Sequence, residues 1–255
     1  ADGLSSSCYG PEEAFLALGQ HTPLALFLAL ATAATVFIIA LGYNQVIELF
    51  PTGGGGYRVA TALLGPRPGL VSGAALLVDY VLTVATSLAS GVDAFFSLLP
   101  VSAQAFKLGT EVVLVVLMTG LNFRGMRESI LVLLPIFIGF VVLHLGLIVY
   151  GVAVHGEHLA AVVPEAVGEA HGMSQAFGPL VMIGLLMRAS SMGGGTYTGL
   201  EAVSNNVNML AEPRVPAGKR TMVYMATSLA FTAGGIILLY MLWQAKPVEG
   251  QTLNA

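Results

Sequence analysis

Long runs of apolar residues without charge divide the chain into segments of bilayer length. A helix that crosses the hydrocarbon core of a membrane needs about 20 mainly apolar residues. Residues 23–43 and 222–243 contain no charged residue, and residues 129–154 contain a single histidine, His144. Residues 108–123 form a shorter run with one acidic residue. The pattern predicts four continuous transmembrane helices at these places.

Two further runs are long enough to cross a bilayer but carry charged residues within them. Residues 69–99 contain two aspartates, and residues 177–210 contain Arg188 and Glu201 beside a run of glycines. A charged side chain inside a membrane span is costly, so it marks a functional position by default. Residues 1–18 are too short to cross alone, and we predict that they are the second half of a helix cut upstream.

The sequence therefore predicts an all-α polytopic membrane protein with six whole helices and one half. In order, these are helix 1b (1–18), helix 2 (23–43), helix 3 (69–99), helix 4 (108–123), helix 5 (129–154), a broken helix 6 (177–210) and helix 7 (222–243). The composition agrees, because 56% of the residues are hydrophobic and 9% are charged, against about a quarter charged in soluble domains. A soluble fold is not expected with so much apolar surface, and the net charge of −4 offers no basic face for a nucleic-acid partner.

Lysines and arginines are distributed unevenly between the two ends of the predicted helices. If the turn at residues 19–22 lies outside, one face receives seven of these residues and the other receives two. Cytoplasmic loops carry the excess of basic residues in membrane proteins, so the face with seven is predicted to be cytoplasmic. The seven are Arg58, Arg67, Arg124, Arg127, Arg214, Lys219 and Arg220, and the two are Lys107 and Lys246. The predicted location is a bacterial inner (plasma) membrane.

Two clusters of glycine and hydroxyl residues interrupt the apolar pattern where a helix would cross the membrane. One contains Gly3, and the other contains Gly193, Gly194 and Gly195. Unpaired backbone groups are costly in lipid, so such clusters are expected where the chain lines a cavity. We therefore predict unwound segments in helices 1 and 6, whose breaks face each other at the midplane in inverted-repeat transporters. Packing of small residues is the alternative explanation, and it is favoured for residues 234–235.

Each predicted break is associated with an acidic residue. Asp2 lies in the first break, and Glu201 follows the second. Carboxylate and hydroxyl oxygens are hard ligands that favour small hard cations or protons over soft metals. Asp2 and Glu201 are therefore candidates for cation binding and for proton coupling. The alternative for Glu201 is an internal ion pair with Arg188 that holds two helices together.

Four short segments carry a family resemblance. They are residues 2–13 (DGLSSSCYGPEE), 51–57 (PTGGGGY), 122–129 (NFRGMRES) and 196–205 (TYTGLEAVSN). These segments resemble the amino acid, polyamine and organocation (APC) transporter superfamily, and within it the KimA branch of KUP-type potassium importers. The resemblance implies a LeuT-like fold of ten helices in two inverted repeats that works by alternating access. It also implies that this chain is truncated at both ends and supplies the second half of helix 1 through helix 7.

The same resemblance implies which residues bind the transported ion. On helix 3 the implied set is Tyr80, Thr83 and Ser87, whose spacings of three and four place them on one helical face whatever the family. Helix 1 would supply Asp2 and Tyr9, helix 6 would supply Thr198 and Glu201, and a further ligand would come from helix 10, beyond residue 255.

We predict proton-coupled import of a small cation, namely potassium. Amino acid permeases of this fold bind the substrate carboxylate with bare backbone amides at the first break, and the carboxylate of Asp2 would repel it there. Potassium instead accepts carboxylate, hydroxyl and carbonyl oxygens. The alternatives are a proton-coupled amino acid permease, in which Asp2 binds the amine or the proton, and a transceptor that binds a ligand without turnover. The sequence predicts no catalytic residue and no cofactor, and it leaves the oligomeric state open, a homodimer included.

Other motifs suggest chemistry that their surroundings do not support. The glycine run at residues 53–56 is not followed by the lysine and hydroxyl residue of a phosphate loop, so ATP binding is not expected. The family resemblance implies that this stretch is a cytoplasmic loop after helix 2. His155, His158 and His171 fall in the longest predicted outside loop, where a solvated polar loop is favoured over a metal site. His144 is predicted to be a hydrogen-bonded core residue and not a proton relay. Cys8 is the one cysteine, which excludes an internal disulfide.

Overall fold

The computed structural model describes residues 2–123, 126–248 and 250–254, and for residues 2–5 and 126–130 it describes the backbone. Within these ranges the chain forms α-helices and short 3-10 turns, without a β-strand. The α-helices are α1 (Asp2–Leu16), α2 (Ala25–Leu49), α3 (Gly55–Leu64), α4 (Pro66–Ser97), α5 (Lys107–Phe123), α6 (Met126–Val154), α7 (Gly156–Phe177), α8 (Pro179–Met192), α9 (Leu200–Asn205) and α10 (Arg214–Leu242).

Five helical segments of the described chain are long and apolar enough to cross a membrane. They are Thr22–Leu49, Pro66–Phe96, Val101–Phe123, Leu131–Val154 and Arg214–Leu242, with mean hydropathy between 1.5 and 2.7. These segments contain the cores of predicted helices 2, 3, 4, 5 and 7. Each exceeds the roughly 20 residues that a span requires. The prediction of an all-α polytopic membrane protein is therefore confirmed.

Several helices run further than the uncharged windows that predicted them. Helix α2 continues to Leu49, and α10 already begins at Arg214. In these two extensions Lys219 forms an ion pair with Glu48. Charged residues end an apolar window but not a helix, because long polar side chains extend into the interfacial region of a bilayer. Helix α4 likewise begins at Pro66, since proline suits the first turn of a helix.

Residues 156–177 form the helix α7, where the sequence predicted a solvated polar loop. Three apolar side chains on this helix are buried, namely Val162, Ala166 and Met173. Glu169 on the same helix has Oε1 2.5 Å from Nδ1 of His21, in the turn before α2. The loop prediction was wrong because the polar side of an amphipathic helix dominates its composition while its apolar stripe packs inward. The short helix α3 similarly occupies part of the loop expected after predicted helix 2.

Predicted helix 6 consists of two α-helices with irregular backbone between them. Helix α8 ends at Met192, residues Gly193–Tyr197 form a 3-10 turn, and Thr198 is extended. Gly199 then has a φ of 92°, in the left-handed region that glycine adopts readily, and α9 starts at Leu200. We refer to residues 193–199 as the break.

The described part of helix 1 is continuous. The structure places Gly3 in the first turn of α1, where the sequence predicted unwound backbone. The prediction was wrong because the N–H groups of the first turn need no acceptor within the helix, so a glycine there is compatible with helical backbone. Pro11 lies inside the same helix without interrupting it.

Two apolar clusters form the centre of the described chain. In the first, the ring of Phe15 packs on Tyr240 with centroids 5.1 Å apart, and Leu28 and Ile237 are buried beside them. The second cluster comprises Val36, Ala40, Ile47, Leu200, Val203, Val207, Met222, Ala226 and Leu229. Helices α1, α2, α9 and α10 therefore pack together, whereas α5 contributes no buried residue.

A close helix contact explains one of the glycines in α10. A Cβ on Gly235 would lie 2.4 Å from Cδ1 of Ile148 on α6, whereas a Cβ on Gly234 would meet nothing within 4 Å. The packing role predicted for this pair is therefore confirmed at Gly235.

Candidate functional site

A cavity of about 700 Å³ lies between α1, α4 and the break. Each of these elements contributes to its lining a residue that carries a hydroxyl group: Tyr9 from α1, Thr83 from α4 and Thr198 from the break. Further polar residues of the lining are Glu12, Glu13, Thr86, Ser90, Asp93, Ser97, Gln104, Lys107, Gln251 and Thr252. The cavity therefore presents oxygen atoms from separate parts of the chain to a common space.

Close contact between α1 and the break depends on residues without a side chain. Measured from an ideal Cβ, the close pairs are Gly195 to Tyr9 Cε2 (2.6 Å), Gly193 to Ala14 Cβ (2.6 Å) and Gly10 to Thr196 Oγ1 (2.1 Å). A Cβ on Gly194, by contrast, would meet nothing within 4 Å. Two of the three glycines in the run therefore have a packing reason, in addition to the irregular backbone in which they lie.

Thr198 and Glu201 hold the end of the break in place. The Thr198 hydroxyl donates a hydrogen bond to the carbonyl oxygen of Gly195 at 2.9 Å. The Glu201 carboxylate accepts one from the Gly199 N–H at 3.0 Å, so it folds back onto the residue before α9. The partial positive charge of a helix N-terminus favours a carboxylate in this position. Glu201 therefore stabilises the start of α9.

Three of the seven predicted ligands line the cavity, namely Tyr9, Thr83 and Thr198. Glu201 lies in the first turn of α9, two residues after the break, and its carboxylate is bonded to the N–H of Gly199, the last residue of the break. The Asp2 side chain lies outside the described part of the chain. The two remaining predicted ligands belong to α4.

The face of α4 that meets the cavity differs from the predicted one. The prediction grouped Tyr80 and Ser87 with Thr83, but the described lining residues in this register are Thr83, Thr86, Ser90, Asp93 and Ser97. Tyr80 instead accepts a hydrogen bond at its hydroxyl from Nδ2 of Asn205, at 2.7 Å. The predicted face and the face that lines the cavity share Thr83. They are rotated relative to each other around the helix axis, because each residue turns the helix by about 100° and Thr86 and Ser90 therefore point to a different side than Tyr80 and Ser87. The hydroxyl residues that the prediction missed, Thr86, Ser90 and Ser97, belong to a series with spacings of three and four that starts at Thr83. This spacing could have identified them from the sequence.

The lining of the cavity is predominantly acidic. Glu12 and Glu13 on α1 and Asp93 on α4 line it, and Lys107 is the one basic residue in the lining among the residues that the structure describes. Lys107 forms an ion pair with Asp93. The remaining excess of negative charge favours a cation over an anion in this space.

The segment after α10 folds back against the acidic side of the cavity. We call residues 250–254 the strap. Its hydrogen bonds are Leu253 N–H to Glu12 Oε1 (2.8 Å), Asn254 Nδ2 to Glu12 Oε2 (3.0 Å) and Thr252 N–H to Ser97 Oγ (3.0 Å). Thr252 also lines the cavity. The strap is therefore bonded to both α1 and α4 and borders the cavity.

His144 has a hydrogen-bond partner at each ring nitrogen. Its Nδ1 lies 2.9 Å from the carbonyl oxygen of Phe140, and its Nε2 lies 3.4 Å from Sγ of Cys8. A carbonyl oxygen can only accept, so in the neutral ring Nδ1 carries the proton and Nε2 accepts from the thiol. The prediction that His144 is hydrogen-bonded is confirmed.

This chain is similar to a family of permeases and to two curated proteins that are named as a transporter and an importer. The family model described as "Amino acid permease" matches residues 5–247. The potassium transporter KimA of Bacillus subtilis (strain 168) is 33% identical over 260 residues, which cover 99% of this chain and 41% of that protein. The low-affinity putrescine importer PlaP of Escherichia coli (strain K12) is 26% identical over 229 residues, which cover 86% of this chain and 45% of that protein. The chain thus spans less than half the length of these curated relatives.

Proposed function

Since the chain belongs to the amino acid permease family, we propose that it is part of a secondary active transporter that imports potassium together with protons. Family membership makes it a multi-pass membrane transporter and not an enzyme. Because the chain spans 41% of KimA, the activity of the whole protein belongs to the proposal. We place the protein in a bacterial inner membrane with residues 53–56 on the cytoplasmic side, where most basic residues lie.

The observation that carries this proposal is the meeting of Tyr9, Thr83 and Thr198 at one cavity that also contains an excess of carboxylates. Hydroxyl and carboxylate oxygens are hard ligands, which suit alkali-metal and other hard cations. An acidic cavity raises the local concentration of cations and lowers that of anions. The similarity to KimA, a potassium transporter, supports the same choice of cargo.

An organic amine is the second candidate for the cargo. The cavity of about 700 Å³ has room for more than one bare potassium ion, and the relative PlaP is named as a putrescine importer. A diamine would place its ammonium groups on carboxylates such as Glu12 and Glu13. An amino acid would do so through its amine, and it would need a separate donor for its carboxylate. The excess of acidic groups favours the diamine over the amino acid.

We propose Glu201 as the group that couples transport to protons. Its carboxylate accepts a hydrogen bond from the backbone N–H of Gly199 in the break. Gly199 directly follows Thr198, which lines the cavity. A protonated carboxyl accepts a hydrogen bond more weakly than a carboxylate does. Protonation would therefore loosen the start of α9 and alter the backbone that holds Thr198 at the cavity. Asp2 is the other candidate, as a cation ligand or as a proton carrier.

Growth of potassium-uptake-deficient bacteria that express the complete gene product tests the proposed cargo. We expect growth at micromolar potassium, with uptake of rubidium that excess potassium suppresses and putrescine does not. Cells that display the protein in their membrane but show neither growth nor rubidium uptake would contradict the potassium proposal. Accumulation of labelled putrescine or a labelled amino acid in the same cells would then favour the second candidate.

A further inference from the structure

Asn205, the last residue of α9, joins three elements of the fold. Its Nδ2 donates a hydrogen bond to the Tyr80 hydroxyl on α4 at 2.7 Å. Its backbone oxygen accepts a hydrogen bond from the N–H of Gly54 at 3.0 Å. Gly54 belongs to the glycine loop, residues 53–56, which follows α2. The half-helix after the break is thereby bonded to α4 and to the glycine loop.

The glycine loop fits against Asn205 only because it lacks side chains. A Cβ on Gly53 would lie 2.6 Å from the Asn205 backbone oxygen, and a Cβ on Gly55 would lie 2.0 Å from its Oδ1. Both glycines also have positive φ angles, 85° and 41°, which residues with a side chain rarely adopt. Contact with Asn205 therefore gives a physical reason for two of the four consecutive glycines, Gly53 and Gly55.

The side-chain amide of Asn205 is bonded at one end and enclosed at the other. Its Oδ1 is buried without a hydrogen-bond partner among the described residues. Exchanging the amide oxygen and nitrogen changes only the direction of the bond to Tyr80, because one terminal atom still faces the glycine loop. A buried polar atom without a partner is destabilising. The contacts of α4, α9 and the glycine loop therefore hold this amide with one polar atom paired and the other buried without a partner among the described residues.

Tyr80 contacts Asn205 and does not line the proposed cation cavity. Thr83, one turn further along α4, lines the cavity of about 700 Å³. Tyr80 lines a separate cavity of about 460 Å³ together with Gly54 and Asn205. In this structure the Tyr80 oxygen therefore accepts from Asn205, while Thr83 lines the proposed cation path.

We propose that Asn205 is a positioning residue of the transport cycle. It ties the Tyr80 hydroxyl and the glycine loop to α9, so the half-helix that carries Glu201 cannot move relative to α4 until these bonds break. This proposal rests on the proposed function in one respect: it requires that α9 moves during transport. The identity of the cargo does not enter it.

Hydrogen–deuterium exchange of the complete gene product in lipid nanodiscs tests the link between these residues. Exchange of the Gly54 amide reports how often the glycine loop opens. A neutral hydrogen bond changes such an equilibrium by about twofold to tenfold, so we expect Asn205→Ala to speed exchange by that factor. Tyr80→Phe removes the same bond from the other side and is expected to have a similar effect. The double variant should show no further increase.

Asn206→Ala is the matched control. Asn206 is the neighbouring residue, follows the end of α9, is exposed, and donates to the carbonyl oxygen of Ala202 at 2.9 Å. We expect this variant to leave exchange of the glycine loop unchanged. Equal acceleration in Asn206→Ala, unchanged exchange in Tyr80→Phe, or additive effects in the double variant would each overturn the positioning role. Tyr80→Phe keeps the test valid if Asn205→Ala fails to fold.

Uptake kinetics separate this role from the choice of cargo. We expect Asn205→Ala and Tyr80→Phe to change the maximum rate of uptake more than KM, whereas Thr83→Val should raise KM. A rise in KM for Tyr80→Phe without faster exchange of the glycine loop would make Tyr80 a ligand and overturn the proposal. If the exchange results hold but the carried cargo is an amine, the potassium proposal fails and the role of Asn205 stands.

Discussion

The carboxylate of Glu201 accepts a hydrogen bond from the N–H of Gly199 at 3.0 Å, at the residue where the interrupted backbone returns to a helix. The acidic residue that the sequence associated with the second break is therefore bonded to the backbone of that break. Its charge acts on the conformation of the segment that also presents Thr198 to the cavity. This relationship links a titratable group to the shape of the proposed cation path.

Glu201→Gln separates the charge of this group from its structural role. An amide oxygen still accepts a hydrogen bond from Gly199, so we expect the thermal melting temperature to stay near that of the wild type. Uptake should lose its dependence on external pH, because glutamine cannot take up a proton. Glu201→Ala also removes the hydrogen bond and should lower the free energy of unfolding by about 1 kcal/mol. Uptake by Glu201→Gln that keeps the wild-type pH profile would exclude Glu201 as the coupling group.

Gly195→Ala tests the close contact between α1 and the break. The added Cβ would lie 2.6 Å from Tyr9 Cε2, and overpacking of this kind typically costs about 1–3 kcal/mol. We expect a lower melting temperature and weaker cation uptake, because Tyr9 must move. Gly194→Ala is the control, since a Cβ there meets nothing within 4 Å. Equal stability of the two variants would show that the contact with Tyr9 does not constrain the break.

Thr83→Val removes a hydroxyl from the cavity while keeping the shape of the side chain. If Thr83 is a ligand, the loss of one oxygen contact of about 1.4 kcal/mol raises the KM for potassium by about tenfold. Rubidium uptake at increasing potassium concentrations measures this change. Thr110→Val serves as the control, because Thr110 is on α5 and its hydroxyl donates to the carbonyl oxygen of Phe106. A KM that is the same in both variants would remove Thr83 from the set of ligands.

Glu12→Gln tests how the strap is held. The Glu12 carboxylate accepts from Leu253 N–H and from Asn254 Nδ2, and a glutamine would direct its own N–H groups at one of these donors. We expect hydrogen exchange at Leu253 to become about tenfold faster, as the loss of a charged hydrogen bond predicts. Glu13→Gln changes the neighbouring carboxylate, which is exposed, and should leave this exchange unaltered. Protection of Leu253 that survives in Glu12→Gln would mean that other contacts hold the strap.

The membrane helices were predictable from sequence because the bilayer demands long uncharged runs, and the segments at Thr22–Leu49 and Arg214–Leu242 are clear examples. Helix α7 was not predictable by that criterion, since its polar side faces outward and its contact with His21 is formed by distant residues. The resemblance to the APC superfamily is confirmed by the match of residues 5–247 to the amino acid permease family.

The site was predictable only in part. Hydroxyl spacing on α4 indicated a polar face around Thr83, but the sequence did not determine which edge of that face meets the cavity. The bond of Tyr80 to Asn205 and the bonds of the strap to Glu12 join residues more than 100 positions apart. Contacts of this kind depend on the packing of several helices, so no local pattern in the sequence marks them.

Ion flux into proteoliposomes is the most direct test of the proposed function. The complete gene product is reconstituted, an inward proton gradient is imposed, and internal potassium and internal pH are recorded together. We predict that potassium enters with protons, and that Glu201→Gln abolishes the coupled proton entry. Entry of putrescine or an amino acid driven by the same gradient, with no movement of potassium, would contradict the account.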